Sequence, residues 1–402
     1  MVAACSAPSL EQARQLPAAE ASDARAAVAA NNAFAASFYS AVASNPNTPA
    51  NFFFSPFSIS VDLAMLDAGA ANETDAQLRS ALQTTLSSDA LGAAYKALLA
   101  SLAAGTHFGN YDLTLAQRLF GQQGFAYVPS YLATTKNDYG AALEPVDFAD
   151  DPSAAVTTID SWVSTQTDGA IPNLLADGDV DAFTRLEIVD AVRFSGTWAV
   201  PFPPAVPGQF TLGDGSTVSA QMMASYSASL DTADFDGFSL GAFPFSEQDM
   251  SMIVLLPDGA AGLPALEATL TPETLASWLA APREPFDADG SNLVELPKYS
   301  VTTQMDLDTT LGALGVTDAW IPETADFSGI DGARDLYVNN AVHSATVTVD
   351  EHGAQASAAT GTGVVILLMN DFVADHPFIF LIHDEVTGAV LFMGRFADPT
   401  QQ

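Results

Sequence analysis

Residues 348–395 read TVDEHGAQASAATGTGVVILLMNDFVADHPFIFLIHDEVTGAVLFMGR, and the middle of this stretch decides how the chain is to be understood. From Gly353 to Asn370 there is no charge and no proline. Ala354 to Gly363 is almost entirely Ala, Gly, Ser and Thr, with Gln355 the only larger side chain. Exposed loops are normally rich in charged, proline or bulky polar residues, because water favours them there. At a period of two, Ala354, Ala356, Ala358, Thr360, Thr362, Val364 and Ile366 share one face, and the other face is equally small. Taken alone, such a run reads as an ordinary buried strand. Its composition also suits a loop that becomes a strand later: a proline would remove a ladder hydrogen bond, and a charge would have to be desolvated.

Working outward, the chain has 402 residues, 49% of them apolar, which is ample for a large core. Its 12 basic and 48 acidic residues give a formal charge of −36, with only three lysines. Such a surface repels phosphate backbones and anionic lipids, so nucleic acid is excluded as a partner. No window approaches eighteen uninterrupted apolar residues, so no transmembrane helix is expected. Helical spacing marks residues 23–44 through Val28, Phe34, Phe38 and Val42, and Ser55-Pro56 opens a second helix toward Gly69. Thr74 to Leu82 and residues 152–167 are further helices, and Tyr111 to Phe120 alternates like a strand. After these come short apolar runs bounded by Gly, Pro or Asp: Leu186–Phe194, Met250–Pro257, Leu293–Lys298, Ala345–Asp350, Phe378–His383 and Val390–Phe396. Without βαβ regularity, this order predicts one α+β domain over residues 23–402 with mostly antiparallel sheets.

Six stretches, in order, carry a family resemblance. NFFFSPFSISVDLAMLDAGAANETDAQLRSAL (51–82), IVDAVRFSGTWAVP (188–201), MIVLLPDG (252–259), VELPKYS leading to LDTTLGALG (294–315) and ADFSGI (325–330) precede the quoted 348–395 stretch. Together they resemble the serpin family over about residues 25–399. The resemblance implies a large central sheet with further sheets, eight or nine helices and an exposed reactive-centre loop at about 351–372. It also implies the activity. A protease cleaves the loop, the loop inserts into the main sheet, and the acyl-enzyme is carried across the molecule with its active site deformed. About fifteen inserted residues at roughly 3.3 Å each span about 50 Å. The chain itself then needs no catalytic residue and no cofactor.

By resemblance, Glu351, Gly353, Ala354, Ala356, Ala358 and Thr360 form the hinge, and Leu367-Leu368 is the reactive bond, with Ile366 and Met369 as alternatives. All are apolar, which favours chymotrypsin-, elastase- or subtilisin-like proteases over trypsin-like ones that need a cation; papain-like cysteine proteases stay open. Lys298 is implied to pair with Glu351, with Trp198 nearby, at the breach where the loop enters. Ser55, Ser58, Asp190 and His343 match the shutter beneath the sheet's centre. Because Asp190 stands where the family usually has Asn, a cationic His343 with a raised pKa is expected. Heparin activation is not expected, since Lys96 is the only basic residue from 89 to 104. The rival function is a non-inhibitory serpin that acts as a binding or structural protein; a hydrolase ranks third, for Phe194-Ser195-Gly196-Thr197 lacks the leading glycine of a nucleophile elbow.

Cys5 is the one cysteine, which excludes an internal disulfide. Val2-Ala3-Ala4-Cys5-Ser6 is similar to the end of a bacterial lipoprotein signal, so a lipidated Cys5 and a free thiol are both open. Residues 1–22 read as an N-terminal tether. The expectation is a monomeric bacterial protein, secreted or anchored to the cell envelope. The five histidines show no metal spacing. Asp287-Ala288-Asp289-Gly290-Ser291 lacks the terminal Glu of a calcium loop, and His376 reads as part of a structural turn.

Overall fold

A computed structural model describes residues 21–106, 111–176, 178–246, 248–286, 292–339, 341–353 and 371–401, together with Arg14 and Leu16. Cys5, the 287–291 run and the loop positions 354–370, including Ala354, Ala356, Ala358, Thr360, Ile366, Leu367, Leu368 and Met369, lie outside the described residues.

Helices dominate the first third of the chain. Ala21–Ser44 buries Val28, Phe34, Phe38 and Val42 on the stripe that their spacing predicts. Pro56–Asp67 starts where Ser55 caps it, its hydroxyl accepting the Ser58 N–H at 3.1 Å, with Pro56 in the first turn. That helix is buried nearly all round, so it runs through the core rather than over it. There are ten α-helices among the described residues.

The largest continuous sheet has seven antiparallel strands, in the order Phe52–Phe54, Val390–Phe396, Phe378–Asp384, Met250–Pro257, Phe238–Pro244, Asp231–Phe235 and Glu284–Pro285. Met250–Pro257 and Phe378–Asp384 are buried along their whole length, which is why their sequences are continuous apolar runs. Phe53 stacks between Phe380 and Phe392, with centroids 5.6 and 5.2 Å away. In a second sheet, Val294–Pro297 pairs in parallel with Phe372–Val373, which receives the chain just after the 354–370 segment.

The sheet expected to receive the loop is present as two blocks. Ala142–Val146, Tyr111–Gln122 and Leu186–Gly196 form a three-stranded block. Tyr299–Asp306 and Val342–Val349 form a two-stranded one. Leu186–Gly196 and Val342–Val349 lie side by side with no ladder between them. Just beyond both strands an isolated antiparallel bridge joins Thr197 to Gly353. Both strands run toward that end, so a chain turning back from Gly353 would run antiparallel to both.

Arg14 belongs to the stretch expected to be a tether, yet it is fully buried. Its guanidinium bonds Asp249 at 2.6 Å and Asp384 at 2.7 Å, and its carbonyl accepts the Ser101 hydroxyl at 2.8 Å. Losing the cation would strand two buried carboxylates. Arg14→Ala should cost about 3–5 kcal/mol and lower Tm, and adding Asp249→Asn with Asp384→Asn should recover part of it. An unchanged Tm in Arg14→Ala would contradict this anchoring.

Candidate functional site

The residues expected at the breach converge at the contact between the two blocks. After Val349 the chain makes a tight turn, in which the Asp350 N–H bonds the Gly353 carbonyl at 2.8 Å and the Gly353 N–H bonds the Asp350 carbonyl at 3.2 Å. Gly353 has φ +137°, and a Cβ there would lie 1.9 Å from the Gly196 carbonyl oxygen. Only glycine fits this position.

Four groups outside the turn hold it against the Leu186–Gly196 strand. Lys298 Nζ donates to Glu351 Oε2 at 2.8 Å, and the Ala205 N–H donates to Oε1 at 2.9 Å. Burial opposes ionisation of Glu351, but these two hydrogen bonds outweigh it and hold the pKa down at about 2. The Trp198 N–H donates to the His352 carbonyl at 2.7 Å and its indole Nε1–H to the Asp350 carbonyl at 2.9 Å. The Phe202 N–H bonds the Glu351 carbonyl at 2.8 Å. Trp198 is itself fixed by stacking on Phe245, with centroids 4.9 Å apart. Lys298, Glu351 and Trp198 are thus brought together, while the roles of Ala205, Phe202 and Asp350 carry no pattern in the sequence, because they act through backbone atoms or through a turn.

Beneath the middle of the split sheet, Ser55, Ser58, Asp190 and His343 also assemble. The Ser55 N–H donates to His343 Nε2 at 3.0 Å, its hydroxyl donates to the Leu391 carbonyl at 2.8 Å, and the Ser58 hydroxyl donates to Asp190. Here the expected cationic His343 is corrected. Burial lowers its pKa below the ordinary value, and the opposing influence of Asp190 is smaller. The geometry agrees: Nε2 accepts an N–H and so carries no proton of its own, which leaves a neutral ring.

Asp190 has a different partner, Asp62. Burial, with the adjacent Asp190, pushes the Asp62 carboxyl well above its ordinary pKa, which favours its protonated form beside Asp190. The spacing Ser55, Ser58, Asp62 places all three on one helical face, which is the signal that would have found it. Asp62 also borders a cavity of about 420 Å³ lined by Leu63, Leu174, Glu187 and Val342. Burial, with help from Asp179, raises Glu187 to about 8.

Elsewhere, His376 is the turn residue expected, with Nε2 at 2.7 Å from the Pro257 carbonyl and Nδ1 at 2.8 Å from Asp375.

With this geometry in view, comparisons place the chain among known proteins. Residues 29–399 match the family described as Serpin (serine protease inhibitor). The leukocyte elastase inhibitor of Bos taurus is 36% identical over 388 residues, covering 92% of this chain and 99% of that protein. Among solved structures, Arabidopsis AtSerpin1 in its native stressed conformation superposes with a TM-score of 0.78 at 27% identity, over 94% of this chain and 99% of that one. Serpin48 of the insect Tenebrio molitor gives 0.79 at 28% identity, over 92% and 97%.

The buried carboxyls set a pH dependence. A folded pKa above the unfolded one means that stability is full at low pH and is lost as pH rises, for Glu187 between 4.5 and about 8. His343, shifted down, acts in the opposite sense: its contribution is present above the unfolded value of 6.5 and is lost as pH falls below it. Glu187→Gln and Asp62→Asn should therefore raise Tm at pH 8 more than at pH 5. An equal gain at both pH values would contradict the protonated carboxyls.

Proposed function

The chain belongs to the serpin family, and from that premise we propose that it inhibits serine proteases irreversibly as a suicide substrate cut near Leu367-Leu368. The observation that carries this reading is the side-by-side course of Leu186–Gly196 and Val342–Val349, which form no ladder with each other, with the hinge turn at the end toward which both run. Two strands that run side by side without a mutual ladder mark the place where a further strand can join the sheet. The uncharged, proline-free segment that follows Gly353 has the small side chains that can fill that slot on both faces. Its direction would be antiparallel to both neighbours, the geometry with the better-aligned ladder.

The target class follows from the loop's apolar residues, Ile366 to Met369, which suit an elastase-, chymotrypsin- or subtilisin-like specificity pocket. The leukocyte elastase inhibitors, at 35–36% identity in mammals, support the same choice. Ala354, Ala356, Ala358 and Thr360 serve as the inserting face of the hinge, Lys298, Glu351 and Trp198 as its catch, and the Ser55, Ser58, Asp190 and His343 group as the hinge bed under the sheet. Inhibition of papain-like enzymes is a secondary activity on the same loop. We place the protein outside the cytoplasm, in a bacterial envelope or secreted, with Cys5 as a lipid attachment point; the support for this is the Val2-Ala3-Ala4-Cys5-Ser6 sequence alone.

Mixed with an elastase or chymotrypsin, the protein should give an SDS-resistant complex, and the released C-terminal peptide should begin at Leu368. Arg in place of Ala356 should block insertion and convert the protein into a substrate, with a loss of complex of at least tenfold. A cleaved wild-type protein that forms no complex and gains no thermal stability would identify a non-inhibitory binding protein instead. Release of palmitate label from Cys5, or its absence in cells fed labelled fatty acid, decides the anchor.

A further inference from the structure

Apolar, aromatic and acidic side chains share the wall of the cavity of about 420 Å³ that Asp62 and Glu187 border. Its volume falls within the roughly 300–1,000 Å³ of small-molecule sites. Five aromatic residues line it, Phe125, Phe183, Trp320, Phe327 and Tyr337. Phe183 is 81% exposed and Tyr337 42%, so the cavity meets solvent at an aromatic rim. Four carboxyl groups belong to the wall, those of Asp62, Asp181, Glu187 and Asp335, and the one cation among the described lining residues is Arg185. That guanidinium is engaged elsewhere: it donates to the Ala182 and Thr184 carbonyls at 3.0 and 2.9 Å and lies over the Phe125 ring. Asp62 Oδ1 is buried and has no hydrogen-bond partner among the described residues. Aromatic faces attract cations, buried carboxyl oxygens need donors, and apolar walls favour an apolar body.

We propose that this cavity binds an alkylammonium ion, an apolar chain ending in –NH₃⁺, and that its occupancy excludes the far end of an inserted loop. The binding half rests on the lining alone. The ammonium brings three donors to Asp62 and Glu187, and the chain lies against Leu63, Leu174 and Leu311. Glu187, raised to about 8 by burial and by Asp179, keeps its proton at neutral pH. Pairing with an ammonium favours its ionised form, so that proton passes to solvent on binding; Asp62, Asp181 and Asp335 reinforce the cation, and Arg185 opposes it. The excluding half rests on the insertion reading above. Isolated bridges pair Gly353 with Asp350 and with Thr197. Continued residue for residue, an antiparallel strand leaving Gly353 sets Val364 opposite Leu186 and Asn339, and Ile366 opposite Thr184 and Tyr337. All four of these neighbours line the cavity. Residues directly opposite share a face, so Val364 and Ile366 take the side of His343, Ala345 and Val347, which is the buried one. Ligand and loop end claim the same space.

The test uses the full-length, uncleaved protein and octylammonium as the probe, with octanol and octanoate as controls of equal chain length. Calorimetric titration at physiological ionic strength should show one saturable octylammonium per chain, with both controls weaker by about tenfold or more. Glu187→Gln should weaken octylammonium by about tenfold or more and leave octanol unchanged, and the wild-type affinity should rise with pH up to about 8. No saturable binding, octanol as strong as octylammonium, or undiminished binding by Glu187→Gln overturns the site. The second arm titrates the loop-cleaved protein. Cleaved wild type should lose most of its octylammonium binding, whereas cleaved Ala356→Arg, whose hinge is blocked from entering, should keep it. Undiminished binding by cleaved wild type whose Tm has risen, or equal loss in both proteins, overturns the exclusion and leaves the site standing. If cleavage raises Tm in no condition, the insertion reading fails, and the first titration still decides the site.

Discussion

Two parallel-running strands, Leu186–Gly196 and Val342–Val349, approach each other with no backbone ladder between them, and the rest of the molecule is arranged around that constraint. Open sheet edges are a liability, because they template pairing with any available strand. In this chain the exposure is confined. One end is closed by the hinge turn, and the bed beneath is filled by a polar network anchored on the Pro56–Asp67 helix. Filling the slot with a strand of the same chain would join the two blocks into one sheet.

The two ends of the slot are controlled by different physics. At the closed end the forces are directional: a glycine that tolerates no Cβ, an ion pair and backbone hydrogen bonds from Trp198, Phe202 and Ala205. Together they fix the turn from which an inserting strand would start. Beneath the sheet the forces are different: a neutral imidazole accepts rather than donates, and the Asp62 carboxyl, its pKa raised by burial, lies beside Asp190.

Much of this was legible in the sequence, and the exceptions have physical causes. The periodicity of Val28, Phe34, Phe38 and Val42 located the first helix, and the apolar runs at Met250–Pro257 and Phe378–His383 located buried strands. The pairing of Lys298 with Glu351 near Trp198 followed from family resemblance, since nothing local links residues 53 apart in the chain. The charge of His343 was misjudged because a sequence shows a neighbouring carboxylate but not the burial that outweighs it. Asp62 was missed although it lies four residues after Ser58, because its role depends on Asp190 from a distant strand. The burial of Arg14 had no sequence signal at all: its partners Asp249 and Asp384 are ordinary acidic residues in a chain that has 48.

The central claim is that the slot between these strands is unpaired before loop cleavage and paired after it. Hydrogen exchange at the backbone amides of residues 186–196 and 342–349, followed by mass spectrometry before and after cleavage of the loop, reads this directly. The account predicts fast exchange along the facing edges in the intact protein and strong protection of both segments once the loop is cut. Equal protection in the two states would contradict it.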